Sequence, residues 1–568
     1  MAYQLVAVSM SALLMVCCNA AAPCPVLNTT CGPVRGFEDQ GLCAYLGVPY
    51  AVTARWQVPV VSSRSRGTCW AESVLNASSY GPVCPQRGTG QQWFNTTQSE
   101  RCTTLNIWAS RDTLATRNRP VFVFLHGGSS IVGSAANPLN HPGLLARAGF
   151  VAVNLNYREG ALGYLQLNLS VQKRIGGMFG LQDSIAALRW VQENGHTLGG
   201  DTKRVTVWGQ STGGTMVQAL LLSPSAAGLF SAAISLSGSP RMNDTTVRGG
   251  DVFTERANCS VSAGVPPARL EDCLMALSPQ AIIHAEPLNV APWWDPWGGA
   301  GVPMDFCDLP SYEEAMQPPA SLIVADGSVM PLPPDEAFRL PSRIPLNDVP
   351  LIIGNMAQEI DFDPKERVHN LTSPQYVAFV TRKFARFPSV DPADVVRLYP
   401  LHKFIDAQMA YETMAADVRV ACGILDFARH AAAAFSSPVY HFINEHRLSA
   451  PFALFALYGN DWVQRFSSHQ LDQLLLLKTY NNPVSKHHYE ASSDDDAVSD
   501  LLLRAFTSIG ERGALDPSLW PAVNNGSKHT DTFLSLAISA RPKVVQDPRK
   551  ERCRFWAQHG FGRLSWNN

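Results

Sequence analysis

The chain has 568 residues, 46% of them hydrophobic and 16% charged, the composition of a globular protein able to bury a large core. Lys and Arg number 45 against 47 Asp and Glu, and no basic run is interleaved with aromatics, so nucleic acid is not an expected partner. Internal repeats and long Pro/Ser linkers are absent, so one domain over residues 21–568 is expected despite the length.

Residues 1–20 contain an apolar run through Leu13, Leu14, Met15 and Val16, then small residues, with no Lys or Arg ahead of the run. They fit a secretory leader cleaved after about Ala20 and are too short in apolar length to span a bilayer. Eight Asn-x-Ser/Thr triplets begin at Asn28, Asn76, Asn95, Asn168, Asn243, Asn258, Asn370 and Asn525. Thirteen cysteines, two of them in the leader, suit an oxidising compartment, and their odd number leaves at least one thiol unpaired. The last eight residues carry no hydrophobic tail, so the expectation is a secreted protein without a membrane anchor.

Strand-like and helix-like stretches alternate through the first half. Residues 121–125 and 151–155 read as buried strands, 181–193 as an amphipathic helix, 205–209 as a third strand and 216–222 as a second helix. That alternation predicts an α/β fold, a large mostly parallel central sheet flanked by helices. Ligands gather at the carboxyl ends of such strands, where the turns at His126, Asn156 and Gly209 lie. Residues 287–319, rich in Pro and Gly and holding Trp293, Trp294 and Trp297, read as a loop-rich cap segment. Residues 492–496 read as a small solvated acidic loop without function.

The most specific signal is Gly209-Gln210-Ser211-Thr212-Gly213 between the third strand and the second helix. A Gly-x-Ser-x-Gly in that context is a nucleophile elbow, in which small neighbours admit a sharp reversal that exposes the serine. The first amides of the following helix then face whatever Ser211 attacks. Leu125-His126-Gly127-Gly128-Ser129-Ser130 follows another strand and has the glycines that let backbone approach a developing oxyanion. Together these residues point to acyl transfer by serine, which also needs a general base and an acid to orient it.

Many further phrases recur in a known order. They include Leu46-Gly47-Val48-Pro49-Tyr50-Ala51, Ser99-Glu100-Arg101-Cys102, Asn156-Tyr157-Arg158, Gly180-Leu181-Gln182-Asp183, Gly199-Gly200-Asp201 and Ser237-Gly238-Ser239. With the elbow and the oxyanion loop, the chain resembles the type-B carboxylesterases of the α/β-hydrolase superfamily over nearly its whole mature length. The resemblance implies an α/β-hydrolase fold with no metal or organic cofactor. By the same resemblance the acid is Glu359, just past the apolar run 351–354, with Asp361 and Asp363 as rivals because Ile360 stands where the family usually has glycine. Ser237 matches the family serine that supports the acid. For the base, one alignment uses Trp462 and Ser467-Ser468-His469-Gln470-Leu471-Asp472 and selects His469. Another puts Tyr458 at that place and leaves no base, and His446 is a further candidate.

The oxyanion hole carries over to the amides of Gly128, Ser129 and Thr212. Gln210 replaces the glutamate common beside the serine, which removes a negative charge from the substrate pocket, and Trp93 lies near the position of a tryptophan that binds quaternary ammonium in cholinesterases. The missing charge favours neutral esters. The resemblance also implies disulfides Cys84–Cys102, Cys259–Cys273 and Cys422–Cys553, with Cys43–Cys69 as a further pairing and Cys24, Cys31 and Cys307 unassigned. The expected activity is that of a secreted serine carboxylesterase acting on a small-molecule ester. A noncatalytic, neuroligin-like adhesion protein on the same scaffold is the alternative, and neither the natural ester nor the oligomeric state is legible.

Overall fold

The computed structural model describes residues 23–70, 73–86, 97–168, 174–242, 250–286, 308–312, 322–450, 452–453, 462–481, 488–523 and 532–564. The leader, Trp93, the cap tryptophans Trp293, Trp294 and Trp297, Tyr458 and Cys307 lie outside the described residues.

An eleven-stranded sheet organises the chain. Its strands are β1 (Phe37–Asp39), β2 (Leu42–Pro49), β3 (Thr104–Ala109), β4 (Arg119–Leu125), β5 (Val151–Leu155), β6 (Gly200–Gln210), β7 (Ala232–Leu236), β8 (Leu351–Met356), β9 (Val439–Asn444), β10 (Leu534–Ile538) and β11 (Lys543–Gln546). Their spatial order is β11-β10-β9-β8-β7-β6-β4-β5-β3-β2-β1. The strands from β5 to β10 pair in parallel, while β3, β2, β1 and β11 extend the two edges in antiparallel pairs.

The helices that matter for the site are α1 (Phe179–Asn194), α2 (Thr212–Leu222), α3 (Cys422–Ala434), α4 (Leu471–Leu477), α5 (Ser493–Arg512) and α6 (Lys550–Gln558). Side chains alternate between two cores with the period of a strand. Val121, Val123, Leu125, Val205, Val207, Ile353 and Val439 pack with α1, α2 and α3 on one face. Phe122, Phe124, Trp208, Ile234, Ile352 and Phe442 pack with α4 and α5 on the other. Both faces are covered, which is why these strands read as unbroken apolar runs.

Arg158 and Asp183 tie the loop after β5 to the first turns of α1. The guanidinium donates through Nε and Nη2 to the carboxylate at 2.8 Å each, and the Arg158 amide adds a third bond at 3.0 Å.

Two sequence expectations are corrected. Cys43 pairs with Cys24, and Cys69 with Cys31, so Cys43–Cys69 does not form. Spacing alone could not choose among pairings of four cysteines that the fold brings together near the amino end. The other three bonds are Cys84–Cys102, Cys259–Cys273 and Cys422–Cys553. Residues 492–496 are not a loop but the cap and first turn of α5, with Ser493 and Asp494 exposed. Ser492 caps α5 and accepts from the Asp495 amide at 3.2 Å, and the Asp495 side chain is buried.

Candidate active site

Ser211 sits between β6 and α2 with φ 59° and ψ −128°, a backbone state that few residues other than glycine adopt. Its amide donates to Leu236 O at the end of β7, and its carbonyl accepts from Thr215 N, so the strain is held by the sheet and the new helix. The glycines on either side are required by space. A Cβ on Gly209 would lie 2.3 Å from the Gly213 backbone, and one on Gly213 would lie 1.9 Å from Leu125 O.

The loop of residues 126–130 rests against this turn, since a Cβ on Gly127 would come within 2.8 Å of Ser211 Cβ. Ser129 and Ser130 both have positive φ, 58° and 59°. The Thr212 amide begins α2 and has no acceptor within the helix. Tyr157 braces the loop from behind, its hydroxyl donating to His126 O at 2.5 Å and its ring stacking on the imidazole. Burial lowers the His126 imidazole to about 4, so it is neutral, and its Nδ1 lies 2.9 Å from Gly127 O. Burial, then the charge of Glu286, pushes the Glu159 carboxyl well up, and its Oε1 lies 3.8 Å from His126 Nδ1. Sequence reasoning gave no signal for the Tyr157 and Glu159 contacts.

Glu359 follows β8. Its Oε1 accepts from Ser237 Oγ at 2.7 Å and from Met356 N at 2.8 Å. Its Oε2 lies 2.6 Å from His469 Nδ1, and its carbonyl accepts from His469 N at 3.2 Å. Three segments more than a hundred residues apart thus meet on one carboxylate. The rival residues have other partners. Asp361 accepts from Trp462 Nε1 at 2.9 Å and from the amides of Arg465 and Phe466, which folds the loop that carries His469. His446 pairs with Asp495 at 2.7 Å.

Gln210, expected at the substrate pocket, turns its amide to the imidazole, with Nε2 3.1 Å from His469 Nε2. Asp472 is fully buried just past His469, where burial first and the Glu359 charge second push its carboxyl up to about 7. Among the described residues, one group of three ligand-bearing side chains converges, Asp335, Asp426 and His430, with atoms within 4.8 Å. It lies on α3 and on the short helix Pro334–Arg339 rather than on the turns carrying Ser211, Glu359 and His469.

A sequence profile of the Carboxylesterase family matches residues 23–556. Para-nitrobenzyl esterase of Bacillus subtilis (strain 168) is 38% identical over 222 residues, which cover 38% of this chain and 44% of that esterase. Carboxylesterase 3 of Homo sapiens is 27% identical over 94% of this chain and 90% of its own length. A solved PNB esterase shares the fold with a TM-score of 0.66 at 23% identity, covering 93% of this chain and 99% of that one. The chain belongs to the carboxylesterase family, carboxylic ester hydrolases built on the α/β-hydrolase fold.

Proposed function

We propose that the protein is a secreted serine carboxylesterase that hydrolyses neutral carboxylic esters through an acyl-enzyme. Ser211 Oγ attacks the ester carbonyl carbon while His469 Nε2 takes its proton, and Glu359 holds the imidazolium through Nδ1. The amides of Gly128, Ser129 and Thr212 donate to the tetrahedral oxyanion. Collapse expels the alcohol, which receives the proton from His469. A water then repeats the sequence on the acyl-enzyme, releasing the acid and restoring Ser211.

The observation that carries this reading is the 2.6 Å contact between Glu359 Oε2 and His469 Nδ1, with Nε2 turned toward the residue preceding Ser211. The amide at Gln210 leaves no carboxylate beside the nucleophile, which favours neutral over cationic esters. Secretion is supported by five disulfides and by the exposure of the triplet asparagines Asn28, Asn76, Asn258 and Asn370. Among the described residues no helix is long and apolar enough to cross a membrane.

A fluorophosphonate probe tests the reading. Labelling of the folded protein at Ser211, lost in Ser211→Ala and His469→Ala, is expected, with turnover in either variant down on the order of 10⁴-fold or more. Unchanged turnover in Ser211→Ala ends the proposal. Failure of the folded wild type to label turns attention to the noncatalytic adhesion reading and its binding partners.

A further inference from the structure

Both nitrogens of the His469 imidazole are engaged before any substrate arrives. Nδ1 faces Glu359 Oε2 at 2.6 Å, and an ionised carboxylate can only accept, so Nδ1 carries the proton and Nε2 offers a single lone pair. Gln210 Nε2 lies 3.1 Å from that atom and, being an amide nitrogen, donates to it. The pair is shielded from water, with Gln210 2% and His469 7% exposed. Gln210 is also hemmed in on its other side. A Cβ on Gly127 would lie 2.8 Å from Gln210 O and 3.2 Å from its Oε1. The lone pair that Gln210 occupies is the one through which Ser211 would lose its proton.

We propose that Gln210 is a positioning residue that caps the general base in the resting enzyme and yields the lone pair to Ser211 when substrate binds. The inference rests on the nucleophile and base assigned above. The amide donates only while Nε2 is unprotonated, so the cap opposes protonation there. A carboxylate at the same place does the reverse, accepting from Nε2–H and favouring the imidazolium. Among the described residues, the ionisable groups near the imidazole are Glu359 on Nδ1, Asp472 on α4 beside Glu359, and Asp361, which accepts from the Arg465 amide while the Arg465 side chain pairs with Asp406, and none of them changes in the variants below.

Gln210→Met keeps length and removes the donor, Gln210→Ala removes it without filling the space, and Gln210→Glu reverses its polarity. Each variant is compared with wild type by the second-order rate of fluorophosphonate labelling and by kcat, KM and the pH profile of kcat/KM on p-nitrophenyl acetate. Loss of one competing neutral hydrogen bond predicts labelling faster on the order of three- to tenfold in Gln210→Met at pH 8, with KM unchanged. The acid limb of its kcat/KM profile moves to higher pH, and that of Gln210→Glu moves higher still. Unaltered rates and limbs in all three variants, or a uniform loss of kcat with the limb in place, overturn the cap. Absence of wild-type labelling instead overturns the assignment of Ser211 and His469 on which it rests.

Discussion

The hydroxyl of Ser237 donates to Glu359 Oε1 at 2.7 Å inside a fully buried site, with the Met356 amide as its companion on that oxygen. A hydrogen bond to an ionised group contributes about 1.5–3 kcal/mol, and losing it leaves the carboxylate free to rotate off His469 Nδ1. Ser237→Ala therefore lowers kcat on the order of ten- to a hundredfold and leaves KM nearly unchanged, as steady-state kinetics would record. An unaltered kcat would mean that Met356 N alone fixes the acid. Ser237, Glu359 and His469 were reached through the family resemblance, with Tyr458 and His446 left open at the place of the base, and the structure brings the three together. The role of Asp361 as anchor of the base loop was not legible, since it depends on where residues about a hundred positions later return. Gln210 was read as a lost charge beside the serine, and its contact with His469 needed the fold.

The start of α5 shows how a charge run misleads. Residues 492–496 end in three aspartates and read as a loop, yet the Ser-x-x-Asp spacing of Ser492 and Asp495 is that of a capping box, and negative charge is favoured in a first helical turn. Burial raises the Asp495 carboxyl, but hydrogen bonds from His446, Ser492 and Tyr489 outweigh it and hold the carboxyl down at about 2. A depressed carboxyl stabilises the folded state above its unfolded value, about 3.9, and that contribution disappears as pH falls through about 2. Asp495→Asn thus lowers the urea midpoint at pH 5 to 7, and its gap to wild type narrows steadily between pH 4 and pH 2. A gap that stays constant to pH 2 would show that the shape of the side chain, not its charge, holds the cap. The strands were read more securely than this terminus, because an apolar run such as 351–354 admits few alternatives while a charged one admits many.

Across the whole molecule, the parallel order of β5, β4 and β6 follows from the alternation of strands and helices read between residues 105 and 240, whereas the strand 534–538 gave no signal and the pairing among Cys24, Cys31, Cys43 and Cys69 depends on how the amino-terminal strands meet. The Cys422–Cys553 bond joins the first residue of α3 to α6 and closes a segment of 131 residues that carries His469, α4, α5, β10 and β11. Cross-linking so long a loop removes denatured-state entropy worth about 5 kcal/mol in the chain-entropy account. The folded site does not depend on the bond alone. Arg549, next to α6, donates to Ala357 O at 3.1 Å and pairs with Asp417, and Trp556 donates to Tyr399 at 2.8 Å. The double variant Cys422→Ala, Cys553→Ala therefore loses several kcal/mol of unfolding free energy but keeps wild-type kcat and KM at temperatures where it remains folded. Denaturant titration and kinetics on the same preparation separate the two effects. A stability loss below about 1 kcal/mol would mean that the denatured chain keeps these segments together without the bond, and a lowered kcat in fully folded protein would mean that the cross-link itself sets the position of His469.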